Sequence, residues 1–181
     1  MQLAPAVFEG RIVLVDRQEQ IDEACRDLMR WPVVGFDTES RPSFVKGHVN
    51  RISLLQLATP HTCYLFRLCR IPLTRSIIRV LESCSVLKIG LGIDNDFHEL
   101  SRLRHFRARG FVDLQKVAAL RGIEDMSLTK ISSIVLGRRI SKAQRLSNWE
   151  AVNLTPAQRQ YAATDAWVCI GIYEELMKGV Q

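Results

Sequence analysis

The sequence predicts an α/β fold in which a mixed β-sheet, built from an antiparallel meander plus parallel strands, is flanked by α-helices. Short apolar runs with the two-residue period of strands occupy much of the chain up to residue 66. From residue 70 the period changes, and apolar residues recur every three or four positions as in amphipathic helices. A short strand between two such helices indicates a crossover connection and therefore parallel pairing.

Length and composition are typical of one globular domain. The 181 residues are 47% hydrophobic and 24% charged, which predicts a single domain over 1–181. No apolar run approaches the roughly 18 to 20 residues of a membrane span, and the first ten residues do not resemble a signal peptide. We therefore expect a cytoplasmic protein without a membrane partner. The five scattered cysteines favour free thiols over disulfides or zinc.

The first elements follow from these periods. Residues 11–15 are an apolar run typical of a strand, and residues 18–29 place apolar side chains on one face of a helix that Trp31-Pro32 ends. Further strands are predicted at residues 33–39, 52–58 and 62–66. The turn Thr59-Pro60-His61 predicts an antiparallel hairpin, so that the first three consecutive strands form a meander.

Helices dominate the second half. Helical spacing predicts helices at residues 72–84, 97–104, 114–120, 128–136 and 156–177. A short buried strand at 86–90 completes a βαβ crossover, and residues 112–114 lead into the helix that ends at residue 120. Gly137 suits the C-terminal cap of the helix at 128–136, and Thr155 and Pro156 suit the start of the last helix.

The net charge of +6 favours a polyanionic partner, although many basic proteins bind none. Residues 138–147 are the densest cationic stretch, and they hold no acid. Its cations are Arg138, Arg139, Lys142 and Arg145. Trp149 follows closely, and an aromatic platform beside a cationic strip suits a nucleic-acid backbone. A solvated basic loop next to a core tryptophan explains the pattern equally well.

Two carboxylates end the strand predicted at 33–39. Alternate strand residues share a face, so Asp37 and Glu39 are neighbours with Cα atoms about 6.6 Å apart. Both can turn toward one hard cation, which prefers oxygen ligands. Without a cation, their mutual repulsion and desolvation would be costly. The alternative is that the strand simply emerges into water after Phe36.

Further acids fall at two other places. Asp96 lies where the strand at 86–90 turns into the next helix, and helix capping is the alternative explanation there. Tyr161 and Asp165 lie one turn apart on a stripe of the last helix that otherwise faces the core. No lysine or arginine lies one turn from Asp165, so a group outside this helix must balance its charge.

This combination resembles the DEDDy 3′-5′ exonucleases of the ribonuclease H-like superfamily over about residues 11–177, and this resemblance sets the core of the predicted domain at those bounds. The motifs that carry the resemblance are Phe36-Asp37-Thr38-Glu39, Gly92-Ile93-Asp94-Asn95-Asp96 and Tyr161-Ala162-Ala163-Thr164-Asp165. The sequence is most similar to the Werner syndrome-type exonuclease domain and next to ribonuclease D. His98 departs from the Werner-type pattern, which carries an aromatic residue there, so substrate stacking at this position is in doubt.

The resemblance implies an enzyme that hydrolyses phosphodiester bonds from the 3′ end of nucleic acid with two divalent cations, Mg²⁺ or Mn²⁺. It implies that Asp37 bridges the metals, that Glu39 and Asp165 complete the site that activates water, and that Asp96 holds the second metal through water. Tyr161 would orient the attacking water, because a phenol with a pKa of about 10 is mostly neutral at pH 7. An all-oxygen donor set argues for these ions and against zinc.

A second group of residues is predicted to contact the substrate, a single strand or a recessed duplex end. These residues are Thr38, Leu55, Leu91, His98, Lys142, Arg145 and Trp149. The apolar and aromatic members, with Gln56, would contact terminal bases or pack beneath them, and the cations, with Lys46, would hold phosphates.

The resemblance favours DNA as the substrate, with RNA as the alternative in the manner of ribonuclease D. No motif reveals contacts to the 2′-hydroxyl that would decide between them. A catalytically silent nucleic-acid-binding module and a small-substrate phosphatase are further alternatives. Because the sequence shows no helicase region or C-terminal helical module, we expect a helicase or other targeting partner.

Overall fold

Strands dominate the chain up to residue 66 and helices dominate the rest, as the sequence predicts. The structure, a computed structural model, describes residues 2–125 and 127–179. Its strands are β1 (Ala4–Pro5), β2 (Arg11–Val15), β3 (Val33–Ser40), β4 (Ile52–Ala58), β5 (Thr62–Phe66), β6 (Leu87–Gly90), β7 (Phe111–Asp113) and β8 (Arg138–Arg139). Its α-helices are α1 (Ile21–Leu28), α2 (Arg75–Glu82), α3 (Asp94–Leu103), α4 (Leu114–Leu120), α5 (Leu128–Leu136) and α6 (Pro156–Met177). A 3-10 turn, Gln18–Gln20, leads into α1.

One mixed sheet forms the centre of the described chain, with the strand order β2-β5-β4-β3-β6-β7. Strands β3, β4 and β5 pair in antiparallel fashion and form the meander, whereas the strand predicted at 11–15, β2, lies outside it. Strands β2 and β5, β3 and β6, and β6 and β7 pair in parallel. The predicted mixed α/β fold with flanking helices is therefore confirmed.

The two faces of the sheet are covered by different helices. Phe36, Leu55 and Leu57 face a core that α1, α2 and α3 help to build, whereas Leu54 and Leu65 face α6. Every residue of β4 is buried, because both faces of this strand are covered. The alternation that the sequence predicts for β3 therefore directs neighbouring side chains to different helices.

A glycine brings α6 unusually close to β3. A Cβ atom added to Gly35 would lie 1.9 Å from the backbone oxygen of Ala166, closer than any real contact. Glycine inside a strand weakens it but permits close approach of another backbone. This contact sets the distance between the carboxylates of β3 and those of α6.

Helices α1 and α2 are shorter than predicted by up to three residues at each end. Three other features also differ from the predictions. Strand β7 was expected only as a lead into a helix, because three residues are too few to show alternation. Helix α3 begins at Asp94 instead of residue 97, which places Asp96 inside its first turn. Arg138–Arg139, predicted only as part of the cationic stretch 138–147, pairs with β1 in a second, two-stranded sheet.

No helix in residues 2–125 or 127–179 is both long and apolar enough to cross a bilayer.

Candidate active site

The end of β3 presents two carboxylates toward α6. Asp37 pairs in register with Gln56 of β4, and Glu39 with Leu54. The buried Gln56 side chain donates from Nε2 to Asp37 Oδ2 at 3.4 Å and to the Ala162 carbonyl of α6 at 3.5 Å. Gln56 thus links β4 to both elements that carry the acidic residues.

Helix α6 supplies Tyr161 and Asp165 to the same place. Its start is fixed by a capping box, in which Thr155 Oγ1 accepts from the Gln158 amide at 3.1 Å and Gln158 Oε1 accepts from the Thr155 amide at 2.9 Å. Ligand oxygens of Asp37, Glu39 and Asp165 all lie within 4.8 Å of one another. The predicted convergence of these acids is present in the structure.

Asp96 approaches from the opposite face of the sheet. It lies in the first turn of α3, where its Oδ1 atom accepts a short hydrogen bond from the Thr38 hydroxyl. The turn before α3 is held by Asp113, whose Oδ1 atom accepts from the Gly92 and Gln115 amides, each at 2.9 Å. Thr38 therefore connects the fourth carboxylate to the strand that carries the first two.

The crowding of the carboxylates changes their acidity. Burial, followed by the charges of Glu39, Asp165 and Asp96, raises the pKa of Asp37 well above its usual range. Burial and the charges of Asp165 and Asp96 raise the pKa of Glu39 to about 8. Burial raises the pKa of Asp165 to about 7, although a hydrogen bond from Tyr161 opposes it, and raises that of Asp96 to about 6. A bound cation would favour the charged forms.

The site has the donors that a divalent cation needs. Asp165 Oδ1 is buried and has no hydrogen-bond partner among the described residues. Across residues 2–125 and 127–179, no lysine or arginine forms an ion pair with any of the four acids. Buried anions without a positive partner are costly, and a hard cation with oxygen ligands fits this set.

A cavity of about 300 Å³ opens beside the carboxylates. Its lining includes Asp37, Thr38, Glu39, Leu91, Ser127, Leu128, Ile140, Lys142, Arg145, Tyr161 and Asp165. Acidic, cationic and apolar side chains therefore surround one space. Such a lining suits a ligand with a phosphate and an apolar ring.

The predicted substrate residues divide between this lining and the rest of the fold. Four of them line the cavity: Thr38, Leu91, Lys142 and Arg145. The Thr38 hydroxyl also donates a hydrogen bond to Asp96. His98 is exposed on α3 and is not part of the lining, and Lys46 is exposed in the β3–β4 link.

Leu55 and Trp149 are completely buried, so neither offers surface to a substrate. Leu55 belongs to the core beneath the sheet. The Trp149 ring packs against Tyr161 with centroids 6.0 Å apart. Trp149 therefore supports Tyr161 from behind, which is the packing alternative that the sequence left open.

Two residues that shape the site were missed. Gly35 allows the approach of α6, and its position inside an apolar strand was the available signal. Asp113 caps α4 and holds the turn that carries Asp96, and its place between a strand and a helix was the signal.

The basic segment 138–147 is tied to the site by the start of the chain. The N-terminal clasp, residues 4–8, pairs β1 with β8, and the Ala6 amide donates to the Arg139 carbonyl at 2.8 Å. The Phe8 amide donates to Thr164 Oγ1 at 3.1 Å, and Gln160 Nε2 donates to the Phe8 carbonyl at 2.6 Å. The clasp thus joins the basic segment to the turn of α6 that carries Tyr161 and Asp165.

The fold and the acidic cluster together define a hydrolase of the nuclease class. The chain belongs to the 3′-5′ exonuclease family, whose model matches residues 12–181.

Two mouse relatives share substantial sequence with the chain. It is 36% identical to the bifunctional 3′-5′ exonuclease/ATP-dependent helicase WRN over 150 residues, which cover 80% of the chain and 11% of that relative. It is 32% identical to exonuclease 3′-5′ domain-containing protein 2 over 187 residues, which cover 94% of the chain and 28% of that relative. The chain therefore spans less than a third of either relative.

A solved structure shares the fold. Escherichia coli RNase D, an exoribonuclease involved in structured RNA processing, superposes with a TM-score of 0.84 at 20% identity. The match covers 92% of this chain and 44% of that one.

Proposed function

We propose that this protein removes nucleotides stepwise from the 3′ end of nucleic acid by metal-dependent hydrolysis, with DNA as the preferred substrate. The observation that carries the proposal is the convergence of Asp37, Glu39 and Asp165 oxygens within 4.8 Å. Lys142 and Arg145 line the same cavity, so phosphate-binding cations lie beside the acids. Membership of the 3′-5′ exonuclease family agrees with this chemistry.

The residues fit two divalent cations, Mg²⁺ or Mn²⁺. Asp37, Glu39 and Asp165, whose oxygens converge, would hold one cation. Asp96 lies outside that group of three, and by the resemblance it would hold the other cation together with Asp37. Two such cations, when bound, supply an activated water and stabilise the leaving 3′ oxygen.

Tyr161 positions the attacking water. Burial and the nearby charges of Asp165, Glu39 and Asp37 raise the pKa of its phenol further above the usual range, so the hydroxyl stays protonated and can donate. The ring is fixed from behind by the buried Trp149. Tyr161 is therefore a positioning donor rather than a charged ligand.

The substrate would enter with its 3′-terminal nucleotide in the cavity. Lys142 and Arg145 bind phosphate oxygens, and Leu91 contacts the terminal base or sugar. Water attacks the last phosphodiester, and the bond between phosphorus and the 3′ oxygen of the preceding nucleotide breaks. That oxygen takes up a proton and stays on the strand, while a nucleoside 5′-monophosphate leaves.

The choice of DNA follows the sequence resemblance to the Werner syndrome-type exonuclease domain. The fold shared with E. coli RNase D makes RNA the second candidate. A helicase or other targeting partner stays a prediction, and the presence of a helicase in the mouse WRN polypeptide motivates it.

The test is degradation of 5′-labelled DNA and RNA strands of one sequence, with and without Mn²⁺ or Mg²⁺. We expect a ladder that shortens from the 3′ end, needs metal and forms faster on DNA. A 3′-blocked strand is the control for polarity. Degradation of RNA alone would overturn the substrate preference, and binding without release under either metal would identify a silent binding module.

A further inference from the structure

The link between β3 and β4, residues 41–51, presents apolar side chains to solvent near the carboxylates. The Phe44 side chain is 87% exposed, Val45 is 70% exposed and Val49 is 63% exposed. Single exposed apolar residues are ordinary on protein surfaces, but three within six residues make this link a candidate binding surface.

The link is held in place by its own hydrogen bonds. Asn50 Nδ2 donates to the Arg41 carbonyl at 2.9 Å. The side chains of His48 and Asn50 form a second hydrogen bond, 3.0 Å between His48 Nε2 and Asn50 Oδ1. The His48 amide also donates to the Val45 carbonyl at 3.1 Å. Arg41 forms an ion pair of 3.8 Å with Glu150 at the base of the link. Exposure of the apolar side chains is therefore a feature of an organised turn.

The link is also uniformly cationic. Arg41, Lys46 and Arg51 lie within it, and no acidic residue occurs between Glu39 and Glu82. Within the part of the chain that the structure describes, Lys46 and Arg51 form no ion pair. Positive charge without internal partners complements a polyanion. An exposed aromatic ring among cations is the combination that binds single-stranded nucleic acid by base stacking and phosphate contacts.

Its position connects it to the candidate active site. The link begins directly after β3, the strand that carries Asp37 and Glu39. Phe44 follows Glu39 by five residues, which span at most about 17 Å of extended chain. That distance equals about five stacked nucleotides at ~3.4 Å per nucleotide. A strand whose 3′ end lies at the carboxylates can therefore reach the link.

We propose that residues 41–51 form a second substrate-binding site, for single-stranded nucleic acid upstream of the terminal dinucleotide. Phe44 stacks on a base, and Lys46 and Arg51 bind the adjoining phosphates. The inference rests on the proposed exonuclease function and extends it from the terminal nucleotide to the length of the strand. The link makes hydrolysis more efficient on long strands than on short ones.

The test compares Phe44→Ala with Leu120→Ala. Leu120 is also 87% exposed, but it ends α4 and does not line the cavity. We measure kcat and KM on a 5′-labelled 20-nucleotide strand and on a dinucleotide. Phe44→Ala is expected to raise KM for the long strand about tenfold, which is about 1.4 kcal/mol and within the range of base stacking on an aromatic ring. The dinucleotide kinetics and the Leu120→Ala variant stay at wild-type values.

A second measurement tests the cations independently of stacking. Lys46→Ala should reduce the slope of log affinity against log salt for the 20-nucleotide strand by about 1, because one phosphate contact is lost. Fluorescence anisotropy without divalent metal gives this slope in the absence of hydrolysis. An unchanged slope contradicts the assignment of a phosphate to Lys46.

The two levels of the proposal fail in different ways. If the wild type shortens strands but Phe44→Ala and Leu120→Ala behave alike on the long strand, the second site is refuted and the surface is left for a protein partner. Equal losses on the dinucleotide and the long strand also refute it, because the defect would then lie in the active site. If the wild type shortens no strand, the exonuclease proposal fails, and anisotropy with the same variants still decides whether the link binds nucleic acid.

Discussion

The acidic and the basic halves of the candidate site are built on different supports. Asp37 and Asp165 stand on a central strand and a long helix that touch backbone to backbone at Gly35. Asp165 is buried and Asp37 is half-buried. Lys142 and Arg145 stand on the basic segment 138–147, whose link to the rest of the fold includes the N-terminal clasp. Metal ligands must be held to within about 0.5 Å, whereas phosphate can be met by mobile cations. The acids therefore stand on the main sheet and the long helix packed on it, whereas the cations stand on a segment outside that sheet.

The largest expected effect comes from removing an acid. Asp37→Ala or Asp165→Ala should lower kcat by about a thousandfold or more, because the acids act as one unit. The melting temperature should be unchanged or higher, since repulsion among buried carboxylates is relieved. Release of mononucleotides and thermal unfolding measure the two effects. The control is Asp94→Ala, an exposed acid of α3 that pairs with Lys116 at 3.9 Å. Wild-type turnover in Asp165→Ala would refute the metal assignment.

The next effect tests the rigid support itself. Gly35→Ala should cost about 1 to 3 kcal/mol of unfolding free energy, the range for overpacking, because its Cβ would meet the Ala166 oxygen. It should also abolish most activity by moving α6 away from β3. Gly171→Ala on α6 is the matched control, because its Cβ would contact Leu136 at an ordinary 3.7 Å. Denaturant titration measures the free energy of unfolding, and release of mononucleotides measures the activity. Equal effects of the two substitutions would contradict the role of the close approach.

Tyr161→Phe should have a smaller effect. We expect a decrease in kcat of about tenfold to a hundredfold, the scale of one lost hydrogen bond in a buried site. Metal affinity should stay at the wild-type value, because the carboxylates are intact. Isothermal titration with Mn²⁺ and single-turnover kinetics separate the two quantities. Tyr173→Phe, on the same helix, is the control, and a loss of metal binding in Tyr161→Phe would contradict the positioning role.

Buried acids also predict a pH dependence for the metal-free protein. The folded-state pKa values of about 6, 7 and 8 for Asp96, Asp165 and Glu39 lie above the ordinary values of about 4 for these groups. The folded state then binds more protons than the unfolded state between about pH 4 and 8, so stability is present at low pH and is lost as the pH rises through this range.

The melting temperature without metal should therefore fall from pH 5 to pH 8. Addition of Mn²⁺ should raise it more at pH 8 than at pH 5, because the cation stabilises the ionised carboxylates. Asp165→Asn should flatten the metal-free profile. A profile that rises toward pH 8 in the metal-free wild type would contradict the assigned pKa directions.

The smallest expected effect concerns the support of the basic segment, residues 138–147. Deletion of residues 2–6 removes β1 and leaves β8 without its partner strand. The deletion should displace Lys142 and Arg145 and so weaken their contacts with substrate phosphates. Because exposed charge contacts contribute about 0.2 to 1 kcal/mol each, KM should rise only a few-fold while kcat stays nearly constant. Steady-state kinetics on a single strand measure both. Arg145→Ala should reproduce the change in KM. A large fall in kcat would show that the basic segment needs the same rigidity as the acids.

The chain's local periods determined part of the site. The strand period places Asp37 beside Glu39, and the helix period places Tyr161 over Asp165, because each pair lies within one element. The capping box at Thr155 fixed the start of α6 from four residues.

Only the tertiary structure decided how these elements meet. Asp96 joins the other acids through Thr38, from the far face of the sheet, and no local spacing encodes that contact. Burial of Trp149 and the pairing of Arg138–Arg139 with β1 likewise depend on residues distant in sequence. Sequence periodicity specifies which residues share a face, whereas the packing of one element on another depends on contacts between side chains and backbones far apart along the chain, such as Gly35 against Ala166.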